Sequence, residues 1–170
     1  AADFPTELPL KTIQCVMSKY QYGLYFAARK YEITQQLKKK YIREAVLQKT
    51  KSSNASYRVM SRQLSNFAYP ESATTSRRND VGKLIDEHHF DMLVATDVYD
   101  NIDDYSPKVK IACHNAVNLP GITLIYSQFL KYGLHIVAMY LDEMKRRGLF
   151  KNNYTIISGE IDKEEVAKFL

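Results

Sequence analysis

The chain has 170 residues, of which 45% are hydrophobic and 25% charged, and these proportions are typical of a globular protein. Six glycines, five prolines and 12% aromatic residues exclude a collagen-like or mostly disordered chain. No apolar run approaches the roughly 20 residues that cross a bilayer, so we expect no membrane contact. Cys15 and Cys113 are far apart in the sequence and form no disulfide framework, which favours an intracellular, reducing compartment.

The net charge of +5 is distributed unevenly along the sequence. Residues 1–51 contain ten basic and four acidic residues, whereas residues 86–104 contain seven acidic residues and no basic one. The basic half could therefore bind a polyanion that the acidic segment would repel. The alternative, that these charges only keep the protein soluble, is left open by charge alone.

The first part of the chain is predicted to be mostly helical. Residues 10–17 alternate loosely and indicate a short strand, and Ser18 then fits the N-cap of an amphipathic helix of about 28 residues. Shorter helices are predicted over 58–67 and 81–94, with an acidic connection over 96–104. Polar stretches near 50–56 and 71–80 are predicted to be mobile loops.

The second part alternates between helical and extended patterns. Ser106 and Pro107 fit an N-cap and a first helical position, for a helix to about residue 118. The β-branched, apolar run 122–127 predicts a strand buried on both faces, and 154–158 predicts a second one. A helix over 129–147 lies between them, its last basic residues complement its negative dipole end, and another helix begins at 162. We therefore expect an α/β fold in which 122–127 and 153–158 are adjacent strands of a parallel βαβ unit.

Two corners, each following a predicted strand, are candidate binding sites. They carry Ser127 and Gln128 at the first corner and Ser158 and Gly159 at the second. Helix N-termini beyond parallel strands present free N–H groups to anions, which makes these four residues candidates for contacts with a phosphate backbone. The alternative is that the two serines simply cap the helices that follow. No spacing of residues indicates a metal site or a catalytic group.

The segment from residue 105 to 160 resembles the start of the second RecA-like domain of superfamily 2 helicases and chromatin-remodeller-type DNA translocases. The resemblance rests on Ser106-Pro107-Lys108 and on the motif IV sequence Gly121-Ile122-Thr123-Leu124-Ile125-Tyr126-Ser127-Gln128-Phe129. It continues through Gly133-Leu134 to Ile156-Ile157-Ser158-Gly159-Glu160. On this basis residues 105–170 are expected to form the first βαβ part of the second RecA-like lobe, and residues 1–104 a helical lead-in segment of the same motor lobe.

Two upstream segments are similar to the corresponding segments of helicases from large nucleocytoplasmic DNA viruses. Residues 17–25 look like the Ser/Thr-x-x-Gln-x-x-x-Tyr segment that opens this domain, and residues 57–70 look like the viral form. The viral members include early-transcription nucleoside triphosphatases of poxviruses and related helicases of African swine fever virus and giant viruses. The resemblance therefore implies a viral protein linked to transcription and located in the virion and the host cytoplasm.

The resemblance implies an ATP-dependent translocase, of which this sequence supplies only a part. The ATP-binding loop, the Asp-Glu box and the arginine-finger motif are missing, and Val166 stands where the family carries an arginine. We expect no cofactor and no ATP hydrolysis in this chain alone, with ATP and Mg²⁺ used by a longer parent protein. Its expected partners are nucleic acid bound without sequence preference, duplex DNA before RNA, together with the other motor lobe and viral transcription or virion proteins.

Two further functions remain open at this point. One is a non-catalytic, helicase-like interaction module that docks other subunits through the helix predicted over 18–48. The other is an unrelated small α/β enzyme, which the missing ATP motifs disfavour only in part.

Overall fold

The computed structural model describes residues 9–46, 58–73, 90–149 and 151–158, with the side chains of the first helix included as far as Lys38. All regular structure within these ranges is helical. The α-helices are α1 (Lys19–Val46), α2 (Val59–Leu64), α3 (Ala95–Asp100), α4 (Ile102–Tyr105), α5 (Pro107–Asn118) and α6 (His135–Arg146). A π turn at Leu130–Leu134 leads into α6, and 3-10 turns occupy Glu71–Ala73 and Phe90–Met92.

Several predictions concern residues outside these ranges. They are the helix over 162–170, the first part of the helix over 81–94, the loop near 50–56 and most of the loop near 71–80.

The predicted α/β fold is wrong, because the described residues contain no strand and hence no sheet and no parallel βαβ unit of a partial RecA-like domain. Residues 122–127 and 153–157 belong to no helix or strand, and neither segment forms a hydrogen-bonded ladder with described residues. The side chains of Ile122, Leu124 and Tyr126 are 105%, 88% and 84% exposed. An apolar, β-branched run favours an extended backbone, but a strand also needs a partner at about 4.8 Å, which the local sequence does not specify. The strand predicted over 10–17 is likewise wrong, because these residues belong to no strand in the described part of the chain.

The helix starts that depend on local capping are confirmed. Ser18 Oγ accepts a hydrogen bond of 2.8 Å from Gln21 N and caps α1. Ser106 Oγ accepts one of 3.2 Å from Val109 N, with proline at the first position of α5. The predicted end of α6 is also confirmed. Gly148, just beyond its last residue, has the positive φ of 76° expected of a residue that ends a helix.

The acidic segment over 96–104 is helical, which corrects the predicted connection. Val98 in α3 and Ile102 in α4 are both buried in the core, so each of the two short helices packs an apolar side chain inward. The acids nearby are bound by neighbours: Asp97 accepts from Asn101 Nδ2 at 2.8 Å, and Asp100 pairs with Arg147 at 2.8 Å. Such contacts stabilise acidic residues within helices, whereas composition alone suggested a loop.

The core lies between α3, α5, α6 and the segment that follows α2. Aromatic rings connect these elements: Tyr69 packs edge-on against Phe67 at 5.1 Å and against Tyr132 at 4.9 Å between ring centroids. The Tyr69 hydroxyl donates to Lys131 O at 2.8 Å, which ties the π turn to the core. Helix α1 packs on α2 and α4, where Gln21 Nε2 donates to Leu64 O at 2.9 Å. These contacts hold α2 and the segment that follows it against α1 and the π turn.

Candidate functional site

A cavity of about 290 Å³ opens where α2, the start of α5 and residues 125–133 meet. We call this cavity the basic cleft and define it by Arg62, Asn66, Lys108, Ser127 and Gln128, which all line it. No aspartate or glutamate is among the described residues that line the cleft. Two cations without a neighbouring carboxylate favour binding of an anion there.

Arg62 and Gln128 form one side of the basic cleft. The Arg62 Nη2 group donates a hydrogen bond to Gln128 Oε1, and the guanidinium lies 5.6 Å from the ring centroid of Phe129. Because an arginine can only donate, this contact fixes the orientation of the Gln128 amide. No described residue accepts from Gln128 Nε2, so both of its N–H groups are available to a ligand oxygen.

Lys108 forms the other side of the basic cleft, in the first turn of α5. Its Nζ donates to Asn66 Oδ1 at 2.6 Å, and the buried Ser106 hydroxyl donates to Asn66 O. Burial lowers the pKa of Lys108, because desolvation disfavours the charged ammonium, and nearby Cys15 opposes this effect. Asn66 is a neutral partner, so the positive charge of Lys108 is not neutralised and favours an incoming anion.

Ser127 shapes the turn that presents Gln128. Its Oγ donates to Phe129 O at 3.0 Å and accepts from Phe129 N at 3.2 Å, so its only proton is already used. The π turn follows at once, with Leu134 N donating to Phe129 O at 3.2 Å. A Cβ on Gly133 would lie 2.0 Å from Ser127 Oγ, so only glycine allows the turn to pack this closely. The serine therefore holds the turn in place and contributes no free donor in this conformation.

The four residues predicted as phosphate contacts are not all brought together. Ser127 and Gln128 line the basic cleft, Ser158 is not among its lining residues, and Gly159 lies outside the described residues. Sequence reasoning did not assign Arg62 or Lys108 to the site. Lys108 could have been found, since it ends the Ser106-Pro107-Lys108 motif, but Arg62 approaches Gln128 only through the tertiary fold. Phosphate contact at these positions stays a prediction.

In the part of the chain that the structure describes, no group of three or more His, Cys, Asp or Glu side chains is placed to hold a metal ion. None of the helices in this part combines the length and the apolar character that crossing a bilayer requires.

Comparison with known proteins relates the chain to viral termination factors. It is 32% identical over 146 residues to the protein named termination factor NPH-I homolog of a pig isolate of African swine fever virus from Kenya. It is 31% identical over 150 residues to the protein of that name from a tick isolate from Malawi. These alignments cover 82% of this chain and 19% of each relative, so the chain spans about a fifth of the relatives' length. No protein-family model and no solved structure matches the chain. The chain is thus related to the viral proteins that carry the name termination factor NPH-I homolog.

Proposed function

We propose that the chain is part of an ATP-dependent superfamily 2 translocase linked to viral transcription, and that the basic cleft binds the backbone of nucleic acid. The names of its relatives, termination factor NPH-I homolog, support the link to transcription. The sequence contains no G-x-x-x-x-G-K-[ST] loop, so its own residues do not fit the phosphates of ATP. In this proposal ATP and Mg²⁺ act elsewhere in a longer protein, in the virion and the host cytoplasm.

The observation that carries the proposal is the unneutralised charge of the basic cleft. Arg62, Lys108 and Gln128 Nε2 offer N–H donors toward one opening, without a carboxylate among the described lining residues. A phosphodiester supplies the matching acceptors and negative charge, and contacts to it carry no base information. We therefore propose binding without sequence preference, with duplex DNA favoured over RNA.

Titration of a fluorescein-labelled duplex with the chain at two salt concentrations tests this proposal. We expect Lys108→Gln to weaken binding roughly tenfold, equivalent to about 1.4 kcal/mol. We also expect the slope of log K against log salt to become shallower by about 0.9, because one phosphate contact is lost. Gln128→Ala is expected to weaken binding without changing the slope, because it removes neutral donors.

Lys151→Gln is the matched control, since Lys151 is exposed and does not line the basic cleft. Equal effects of Lys108→Gln and Lys151→Gln would contradict the proposed site. Binding that is insensitive to salt would contradict backbone recognition altogether, and would leave subunit docking as the better account of this chain.

A further inference from the structure

Helix α1 has one face packed on the protein and one face open to solvent. Gln21, Ala28 and Glu32 are buried against the rest of the chain. On the open side, Tyr22, Phe26, Ile33 and Leu37 are 54%, 55%, 41% and 59% exposed. We call these four residues the apolar stripe of α1. Large apolar side chains aligned along an exposed helix are typical of a surface that binds another molecule.

The shape of the apolar stripe fits a helix. Its residues span about 22 Å along the axis, at 1.5 Å per residue, or four turns. At 100° per residue they fall within an arc of about 60°, which is narrower than the apolar face of a helix lying in a membrane interface. The Tyr22 and Phe26 rings are already stacked, with centroids 6.1 Å apart. A narrow seam of this kind accepts the apolar side chains of one facing helix.

The positive charge beside the apolar stripe favours a partner whose own flanking residues are acidic. Lys19 and Lys30 are exposed and lie along one edge of the stripe, within about 50° of its centre at 100° per residue. Neither lysine forms an ion pair with a described residue. The acid on this part of α1, Glu32, is buried and accepts from Ser61 N at 3.0 Å and Ser61 Oγ at 2.8 Å. The open face is therefore positive along its whole described length.

We propose that the apolar stripe of α1 docks an amphipathic helix of a partner protein, whose apolar face is flanked by aspartate or glutamate. Glutamates at the flanking positions would pair with Lys19 and Lys30, in the manner of the charged positions that set pairing in coiled coils. A second copy of this chain is a poor occupant, because antiparallel pairing about the middle of the stripe brings Lys30 close to Lys30 of the other copy. This inference uses residues outside the basic cleft and is independent of the proposed nucleic-acid binding.

The test uses two labelled 21-residue helical peptides with leucine along one face. One carries glutamate and the other lysine at the flanking positions, and binding to the full chain is followed by fluorescence anisotropy. We expect the glutamate peptide to bind at least tenfold more tightly than the lysine peptide. Lys19→Glu combined with Lys30→Glu should reverse this preference, and Phe26→Ser combined with Ile33→Ser should weaken binding of the glutamate peptide at least tenfold.

Further controls distinguish peptide binding at the apolar stripe from binding elsewhere on the chain and from loss of the fold. Lys108→Gln should leave peptide binding unchanged, since Lys108 lies outside the apolar stripe. Weaker peptide binding by this variant would assign the peptide to the basic cleft and overturn the inference. Circular dichroism shows whether the serine variant is folded, and the charge reversal tests the inference independently of it. Equal binding of both peptides, a dimer by analytical ultracentrifugation that the serine substitutions abolish, or binding to phosphatidylserine vesicles but to neither peptide would each overturn the inference.

Discussion

Glu143 shows how a single carboxylate organises the end of α6. Its side chain is 3% exposed and accepts hydrogen bonds from Arg146 Nη2 at 2.6 Å and from Arg147 Nε at 2.7 Å. Hydrogen bonds from these two arginines, Arg146 first, lower the pKa of Glu143 to about 2. Arg147 also lies 4.1 Å from the ring centroid of Tyr99 and pairs with Asp100, so the cluster joins α3 to α6. The sequence analysis explained these arginines by the helix dipole alone. Their pairs with Glu143 lie three and four residues apart and could have been found from spacing, whereas the contacts of Arg147 with α3 are not local.

The lowered pKa predicts a specific dependence of stability on pH. The ionised Glu143 stabilises the fold above its ordinary pKa of 4.5, and this contribution is lost as the pH falls toward about 2. Glu143→Gln should therefore lower the melting temperature at pH 7, and should remove part of the decline in stability between pH 5 and pH 2. Thermal unfolding followed by circular dichroism across this range measures both effects.

Asp142→Asn is the comparison for this experiment, because Asp142 is an exposed carboxylate on the same helix and pairs with no described arginine. An identical pH profile for Glu143→Gln and the unchanged chain would contradict the role given to the two arginines.

Gly133 offers a second test at the scale of single residues. An added Cβ would meet Ser127 Oγ at 2.0 Å and Ser127 Cβ at 2.8 Å, so Gly133→Ala should destabilise the chain by about 1–3 kcal/mol in urea unfolding. Ser127→Gly removes both contacting atoms and should reduce the cost of the alanine in a double-mutant cycle. Gly23→Ala is the control, because nothing lies within 4 Å of a Cβ there. It should stabilise α1 by about 0.5–1 kcal/mol, and equal costs at the two glycines would contradict the packing described.

The helices that the sequence predicted correctly are those whose ends are fixed by neighbouring residues. Ser18 caps α1 and Ser106 caps α5, and both caps depend on an N–H group three residues later in the chain. The acidic α3 and α4 were missed, because their burial depends on contacts with α6 and α1. The π turn was also missed, since it results from packing of Gly133 against Ser127, which no periodicity in the sequence reveals.

Ser106→Ala tests a cap that also supports the basic cleft. The substitution removes the acceptor for Val109 N and the donor to Asn66 O, so we expect a loss of about 1–3 kcal/mol in urea unfolding. Ser65→Ala is matched in chemistry, but its hydroxyl bonds only to Arg62 O at the surface, so its effect should stay below about 0.5 kcal/mol. Similar losses for both serines would show that the Ser106 contacts contribute little.

Across the whole molecule, the sequence predicted the helical part better than the part thought to contain a sheet. An apolar, β-branched run such as 122–127 favours an extended backbone locally, but these residues belong to no strand. Pairing into a sheet is a non-local property, and the described residues supply no partner strand. The same distinction holds for the candidate site. Gln128 could be predicted from a local motif, whereas Arg62 contacts Gln128 only because α2 packs near the π turn.

Amide hydrogen exchange tests whether residues 122–126 are unpaired while α5 and α6 are protected. The amides of residues 122–126 form no hydrogen bond with the described part of the chain and should exchange at rates typical of unstructured peptides. Amides in the middle of α5 and α6 should be protected at least about a thousandfold, because they open only with the core. Comparable protection of 122–126 would mean that a hydrogen-bonded ladder forms there, contrary to the structure.

The π turn makes the basic cleft sensitive to the number of residues in the chain as well as to their identity. A π turn contains one residue more than the corresponding α-helical turn. Deletion of one residue from Leu130–Leu134 would restore α-helical bonding and rotate the preceding segment by about 100° around the axis of α6. Gln128 would then point away from Arg62, although every side chain of the cleft would still be present. A one-residue deletion here should thus separate residues that most substitutions within the turn would leave together.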